Sequence, residues 1–113
     1  RNGRGLNLTW EVRDGIVKHS KGFGDIIPAD PGKMASTVEG RIVRFADIIA
    51  YLNHDLDDAV RSGVVLRKQI PEVCTRVLGK NHAQRATTMI RDLIFSSRVV
   101  DDQLELSFSD EVF

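Results

Sequence analysis

Cysteine is almost missing from this sequence. Cys74 stands alone among 113 residues, so no intrachain disulfide can form. A lone thiol accords with a reducing, cytoplasmic setting. An excess of either charge is missing too, since 16 Lys and Arg balance 16 Asp and Glu. A neutral chain has no general attraction to nucleic acid or to a membrane surface, although a local anion site is compatible with it. No apolar run approaches the ~20 residues of a membrane helix. No signal-peptide pattern, repeat or low-complexity tract occurs. The sequence opens without Met, at Arg1-Asn2-Gly3-Arg4-Gly5. It closes on Ser107-Phe108-Ser109-Asp110-Glu111-Val112-Phe113, which reads as a helix start with Ser107 and Asp110, or Ser109 alone, as capping candidates. Both ends read as those of a fragment.

What is present suits one packed helical domain. Hydrophobic residues make up 42% and charged residues 28%, which argues against disorder. Leu6 to His19 reads as a helix, with Leu8, Val12, Ile16 and Val17 as an apolar stripe beside Trp10. Gly15 weakens it by about 1 kcal/mol relative to Ala. A loop rich in Gly and Pro follows from Ser20 to Ala35, including Gly22, Gly24, Pro28, Pro31 and Gly32. Ser36-Thr37-Val38-Glu39 then reads as a capping box. The helix it opens is predicted to run to Ser62, with Gly63 as a left-handed cap. Its length leaves room for a kink.

A shorter helix is predicted from Pro71 to Gly79, with Pro71 in the first turn. Another runs from Asn81 to Ser97, with Ala86, Met89, Ile90, Leu93 and Ile94 on its apolar side. Residues 99–106 are ambiguous, and Val99, Val100, Leu104 and Leu106 allow a short extended segment across Asp101-Asp102. The fold class is all-α, a helical bundle around one core, with at most that one extended segment.

The long helix carries the chemistry-bearing pattern. At 3.6 residues per turn, Ile42, Phe45, Ala46, Ile49, Leu52, Leu56 and Val60 share an apolar face expected to meet the core. Asp47, Tyr51 and Asp55 step four residues at a time along the opposite side, spanning about 12 Å. A solvated polar face would have this spacing as well. Two details point to a cavity lining instead. Asp47 interrupts Phe45-Ala46 and Ile48-Ile49-Ala50, and Tyr51 stands where Glu, Lys or Gln would serve an exposed face. Carboxylates there suit hard cations and zinc-like ions.

The stretch Gly5–His19, Gly-Leu-Asn-Leu-Thr-Trp-Glu-Val-Arg-Asp-Gly-Ile-Val-Lys-His, resembles bacterial dGTPase-like proteins. So do Val38–Ala59, with its Ala46-Asp47-x-x-Ala50-Tyr51-x-x-x-Asp55 core, and Gln84–Asp92. The resemblance to these HD-domain deoxynucleoside triphosphate triphosphohydrolases covers nearly the whole chain. It implies part of an HD-type phosphohydrolase domain over residues 1–113, and a parent protein that hydrolyses a deoxynucleoside triphosphate to deoxynucleoside and triphosphate. It implies a divalent metal, with Mg, Mn, Zn, Fe, Ni and Co not distinguished, and a homo-oligomer. It places Asp47 as a metal ligand, and Tyr51 and Asp55 as deoxyribose contacts near the 3′-hydroxyl. Tyr51 would also crowd a 2′-hydroxyl and so disfavour ribonucleotides. Arg85 is the candidate triphosphate contact, ahead of Lys80 and Arg91, because an anionic leaving group needs neutralising.

The sequence departs from the family in one respect. The family's first His and its His-Asp pair lie upstream of the Gly-Leu-Asn segment and are not in this sequence. His54-Asp55 is not that pair: it follows Asp47 on the same helix, and His54 reads as a surface or partner contact. His19 and His82 read as structural or solvated. One Asp is too few ligands for a metal centre, so the isolated chain is expected to bind metal weakly and to be inactive. Two rival readings stand beside the enzyme. One is a nucleotide-binding or regulatory relative without hydrolysis. The other is a helical interaction module whose segment near Pro71 docks a partner. Uncovered apolar surface and self-association are expected of a fragment.

Overall fold

Three of the four α-helices described in the computed structural model begin where a side chain captures a free N–H group. The model describes residue 3, residues 5–20 and residues 24–113. Gly22 of the predicted loop lies outside the described residues. The chain divides into two units, Arg1–Ile48 and Ile49–Phe113, and the division falls within one helix.

In the first unit, α1 (Trp10–Lys18) starts four residues later than predicted. Thr9 caps it, its side chain accepting from Val12 N at 3.4 Å. The predicted core stripe of this helix is not in a core. Trp10 is 58% and Val17 80% exposed, Val12 and Ile16 are exposed too, and Gly15 is the buried residue. The reason is a close backbone crossing. A Cβ on Gly40 would stand 2.6 Å from Ala35 Cβ and 3.2 Å from Gly15 Cα. The two helices therefore meet through glycines, and the large side chains of α1 lie outside the contact.

After a single 3-10 turn at Pro31–Lys33, α2 spans Val38–Arg61. Its cap lies one residue beyond the predicted Ser36. Thr37 Oγ1 accepts from Gly40 N at 3.1 Å, while Ser36 N donates to Asp14 Oδ2 at 2.8 Å. Lys18 Nζ lies 2.8 Å from Asp14 Oδ1. The Lys18 hydrogen bond, then the Ser36 N–H, hold the Asp14 carboxyl below the usual carboxylate range. Phe45, Ile48 and Ala35 are buried in this unit, and so is Arg44. Arg44 has no carboxylate partner among the described residues. Its guanidinium donates to the carbonyls of Lys18, Ser20, Asp25 and Ile26 at 2.9–3.2 Å. Lys18 ends α1, so Arg44 supplies donors where a helix leaves carbonyls unpaired and its dipole favours a cation.

In the second unit, α2 ends as predicted. Gly63 takes φ +77°, the left-handed conformation that ends many helices. A 3-10 turn at Arg67–Gln69 leads to α3 (Glu72–Val77), with Pro71 as its N-cap. Asn81 caps α4 (His82–Ser96), accepting from Gln84 N at 2.9 Å. Met89 and Leu93 of α4 are buried with Ile49 and Asn53, whereas Ile90 and Ile94 are exposed. The ambiguous segment is an antiparallel hairpin of β1 (Arg98–Val100) and β2 (Gln103–Glu105). Asp101 and Asp102 both have positive φ, the pattern of a two-residue I′ turn. Residues 110–112 form a turn, not the predicted α-helix. Ser107 Oγ donates to Ser96 O and Ser109 N donates to Asp92 Oδ2, so this segment is held along α4.

The apolar face predicted for α2 holds only in part. Phe45 and Ile49 are buried, but Ile42, Ala46 and Leu52 are exposed, and Leu56 and Val60 are half-buried. Arg44 and Asn53 occupy buried positions instead. All-α architecture stands, with four α-helices and the small hairpin among the described residues.

The glycine crossing gives a direct test. Gly40→Ala should destabilise the protein by about 1–3 kcal/mol, as overpacking does. Gly15→Ala should be near neutral, because its Cβ would sit 3.4 Å from Gly40 Cα, in ordinary contact. Thermal and urea unfolding of both variants checks the crossing, and an unchanged Gly40→Ala variant would refute it.

Candidate functional site

Asn53 lies in the same arc of α2 as Phe45 and Ile49, at successive four-residue steps. It is fully buried, at 0% exposure. A buried amide needs partners for both ends. Its Nδ2 donates to Ile49 O at 2.8 Å and lies 3.5 Å from Met89 Sδ. Its Oδ1 accepts from Arg85 Nε at 3.0 Å. Arg85 Nη2 donates to Asp57 Oδ1. His82 Nδ1 lies 3.5 Å from Asp57 Oδ2, and the His82 and His54 rings sit 4.9 Å apart, tilted at 52°. Asn53, Arg85, Asp57, His82 and His54 thus form one chain of contacts between α2 and α4.

This chain sets the electrostatics of the second unit. The Arg85 hydrogen bond holds the Asp57 carboxyl below the usual carboxylate range, against the opposing effect of burial. The charges of Arg85, His82 and Arg61 add to it. Arg85 itself is 6% exposed. Its guanidinium is fixed by an amide on one edge and a carboxylate on the other.

The residues singled out in the sequence occupy different situations. Asp47 is half-buried in the first unit, and no hydrogen bond or ion pair engages it among the described residues. Tyr51 is 68% exposed in the second unit, and Asp55 is exposed one turn further on. Neither has a hydrogen-bond or ion-pair partner among the described residues. Tyr51 and Asp55 share a face, as four-residue spacing requires. Arg85 is not brought to that face. Asn53 lies about 200° round the helix from Tyr51, and Asp57 about 200° from Asp55, at ~100° per residue. Arg85 bonds both, so it packs on the opposite side of α2.

Sequence reasoning missed Asn53, Asp57 and Arg44 as organising residues. For Asn53 a signal was there: it is a polar residue inside an apolar arc, the same anomaly that singled out Asp47. Asp57 and Arg44 gave no such signal, because each could equally have faced solvent.

Comparison with known proteins yields a consistent match. The chain is 63% identical over 110 residues to a deoxyguanosinetriphosphate triphosphohydrolase-like protein of Desulfatibacillum aliphaticivorans, covering 97% of this chain and 31% of that protein. It is 44% identical over 112 residues to the protein so named in Caldanaerobacter subterraneus subsp. tengcongensis, covering 99% of this chain and 29% of that protein. The like-named protein of Clostridium perfringens (strain SM101 / Type A) is 44% identical over 97 residues, which is 86% of this chain and 27% of that protein. The chain belongs to the deoxyguanosinetriphosphate triphosphohydrolase-like family. It spans about three tenths of the length of the relatives it matches. No family model matches the chain, and no solved structure does.

Within this dGTPase-like segment, the residues do not amount to a metal centre. Among the described residues no group of three or more His, Cys, Asp and Glu is placed to hold an ion. Asp47 stands as a single carboxylate, fewer than the three protein ligands a catalytic zinc-type site uses. No helix among the described residues is long and apolar enough to cross a membrane.

The network of this dGTPase-like chain has a pH signature. The Asp57 pKa is depressed by folding, so the stability it contributes is complete above the unfolded value of about 3.9. That contribution is lost as pH falls through the folded value. The stability gap between wild type and Asp57→Asn should therefore shrink as pH drops from about 5 towards 2. Asn53→Ala should cost about 1–3 kcal/mol at neutral pH, because Arg85 Nε loses its buried acceptor. Urea unfolding across this pH range measures both, and a pH-independent gap would remove Asp57 from the account.

Proposed function

We propose that the full-length protein containing this segment hydrolyses deoxynucleoside triphosphates to deoxynucleoside and inorganic triphosphate. The names of the matched relatives support this reading. One structural observation carries it to particular residues. Arg44, Asn53, Asp57 and Arg85 are all committed to partners within the protein. Asp47, Tyr51 and Asp55, at four-residue steps on the same helix, have no such partner among the described residues. Residues held by the fold do structural work, and those left unengaged at regular spacing are open to a ligand.

In this reading residues 1–113 are part of one HD-type phosphohydrolase domain, and the parent is a homo-oligomer. A divalent metal belongs to the family resemblance. Asp47 would be one ligand, and the others would come from elsewhere in the polypeptide. Tyr51 offers an aromatic face and Asp55 a carboxylate acceptor for a sugar hydroxyl. A ring packed beside the sugar leaves no room for a 2′-hydroxyl, so selection for deoxynucleotides follows from shape. Arg85, the triphosphate contact that the resemblance implies, faces the other side of α2.

Release of triphosphate by the full-length protein with each of the four deoxynucleoside triphosphates and a divalent metal tests the reading. Asp47→Ala should lower turnover by about 100-fold or more, since even outer-shell partners of a metal cost 10–100-fold. Tyr51→Ala should narrow discrimination against ribonucleotides by about tenfold, the scale of a steric pocket contact. Absence of triphosphate release from every substrate would sink the enzyme reading. The same absence with retained deoxynucleotide binding would favour the regulatory relative.

A further inference from the structure

The crossing of α1 and α2 leaves a groove in the first unit. A cavity of about 550 Å³ lies along it, and its lining residues all belong to that unit. The floor is the contact of Gly15 with Gly40, where no side chain rises between the helices. Val12 and Ile16 wall the groove from α1, and Val43 walls it from α2. These three are 46%, 54% and 51% exposed. Val12, Ile16 and His19 follow one face of α1, so the groove runs along about 10 Å of that helix. Its nearby polar groups are already used. Thr37 Oγ1 accepts from Gly40 N, and His19 Nδ1 is hydrogen-bonded to the Ile16 carbonyl. A small-molecule pocket needs polar groups free to orient its ligand. This groove suits apolar side chains instead.

The rim carries charge of one sign. Glu11 stands in the first turn of α1 and Glu39 in the first turn of α2. Both line the groove, and no Lys or Arg among the described residues does so. Neither glutamate has an ion-pair partner among the described residues. An occupant that sets Lys or Arg beside them is therefore favoured by complementary charge. Size decides where the occupant comes from. A helix laid along ~10 Å of groove, itself ~10 Å wide, covers an area on the order of 100 Å². A stable association of separate chains buries about 800 Å² on each partner. A segment joined to the same chain needs no such area, because tethering supplies an effective concentration on the order of millimolar. The relatives have chain to supply it: they match 97–99% of this sequence, which spans about three tenths of their length.

We propose that an amphipathic helix from the part of the same polypeptide outside residues 1–113 docks in this groove. Its apolar side chains, three and four residues apart, fill the space between Val12, Ile16 and Val43. Its Lys or Arg side chains meet Glu11 and Glu39. This contact accounts for the outward apolar side chains of α1, which mark a surface made to be covered. The inference rests on membership of the family and not on the hydrolytic reading.

The test uses the full-length protein with photo-reactive benzoylphenylalanine in place of Val43. A second variant carries it in place of Glu39, on the exposed rim, and serves if the first does not fold. Irradiation, denaturing gels and peptide mass mapping locate the cross-link. The expected product runs at monomer mass and joins the groove to a peptide outside residues 1–113. That peptide should have apolar residues at helical spacing and a Lys or Arg within about one turn of the cross-link. Glu11→Lys with Glu39→Lys should speed amide hydrogen exchange of the cross-linked peptide about tenfold or more, because like charges oppose docking. Glu11→Gln with Glu39→Gln serves if the Lys variant does not fold, and should speed it about threefold. Cross-links confined to residues 1–113, a product of dimer mass, or no cross-link from either position would overturn the proposal. Exchange unchanged in a folded charge variant would overturn it as well.

Discussion

A guanidinium taken out of water must find an acceptor for its donors, and among the described residues this chain buries two of them. Arg44 and Arg85 solve the problem in different ways. Arg44 meets four backbone carbonyls, and so ties the end of α1 and residues 25 and 26 to the first half of α2. Arg85 meets an amide and a carboxylate, both on α2, and ties α4 to its second half. No buried side-chain nitrogen or oxygen is left without a partner among the described residues. Such bonds are directional, so they fix rotation and register in a way that Phe45, Ile49 or Met89 alone cannot. Losing one partner leaves a buried charge without compensation, which is far more costly than losing the pair together.

This constraint explains why α2 presents unlike faces. In the second unit the side towards α4 is filled by Asn53, Asp57 and Arg85, all engaged. Tyr51 and Asp55 face away from that network and engage nothing among the described residues. A ring that is 68% exposed on a helix needs a reason, because Glu or Lys would sit there at less cost. A ligand that packs on the ring supplies one. The proposed sugar contact is therefore tied to a contrast within a single helix, beyond the similarity of its sequence to named relatives.

Much of the backbone was legible in the sequence. Periodicity and caps located α2 and α4, Gly63 marked an end, and Asp101-Asp102 marked the hairpin turn. Local chemistry decides those features, so local reasoning found them. The identity of the buried face was less legible. Periodicity assigns apolar residues to the core, yet Ile42 and Leu52 are exposed while Arg44 and Asn53 are buried. Which arc of a helix meets its neighbours depends on residues distant in sequence, and the bonds from Arg44 span up to 26 positions. The stripe of α1 misled for a related reason. Gly15 looked like a weak point of the helix, whereas it is the contact, because Gly40 crosses there with no room for a side chain of its own. For the candidate site, the spacing of Asp47, Tyr51 and Asp55 was legible on one helix. The side of α2 on which Arg85 lies was not, since nothing local relates residue 85 to residues 53 and 57.

Sequence similarity by itself treats these residues alike. A match of 63% over 97% of the chain would carry over a buried clamp and a ligand contact with equal ease. Side-chain commitment separates them. Arg85 illustrates the difference: the resemblance reads it as a contact for the substrate's triphosphate, and its guanidinium is bonded to Asn53 and Asp57. A cation fixed that firmly cannot swing to the Tyr51 side without breaking bonds to both Asn53 and Asp57. In the second unit the side of α2 towards α4 is thus engaged within the protein, while Tyr51 and Asp55 engage nothing among the described residues.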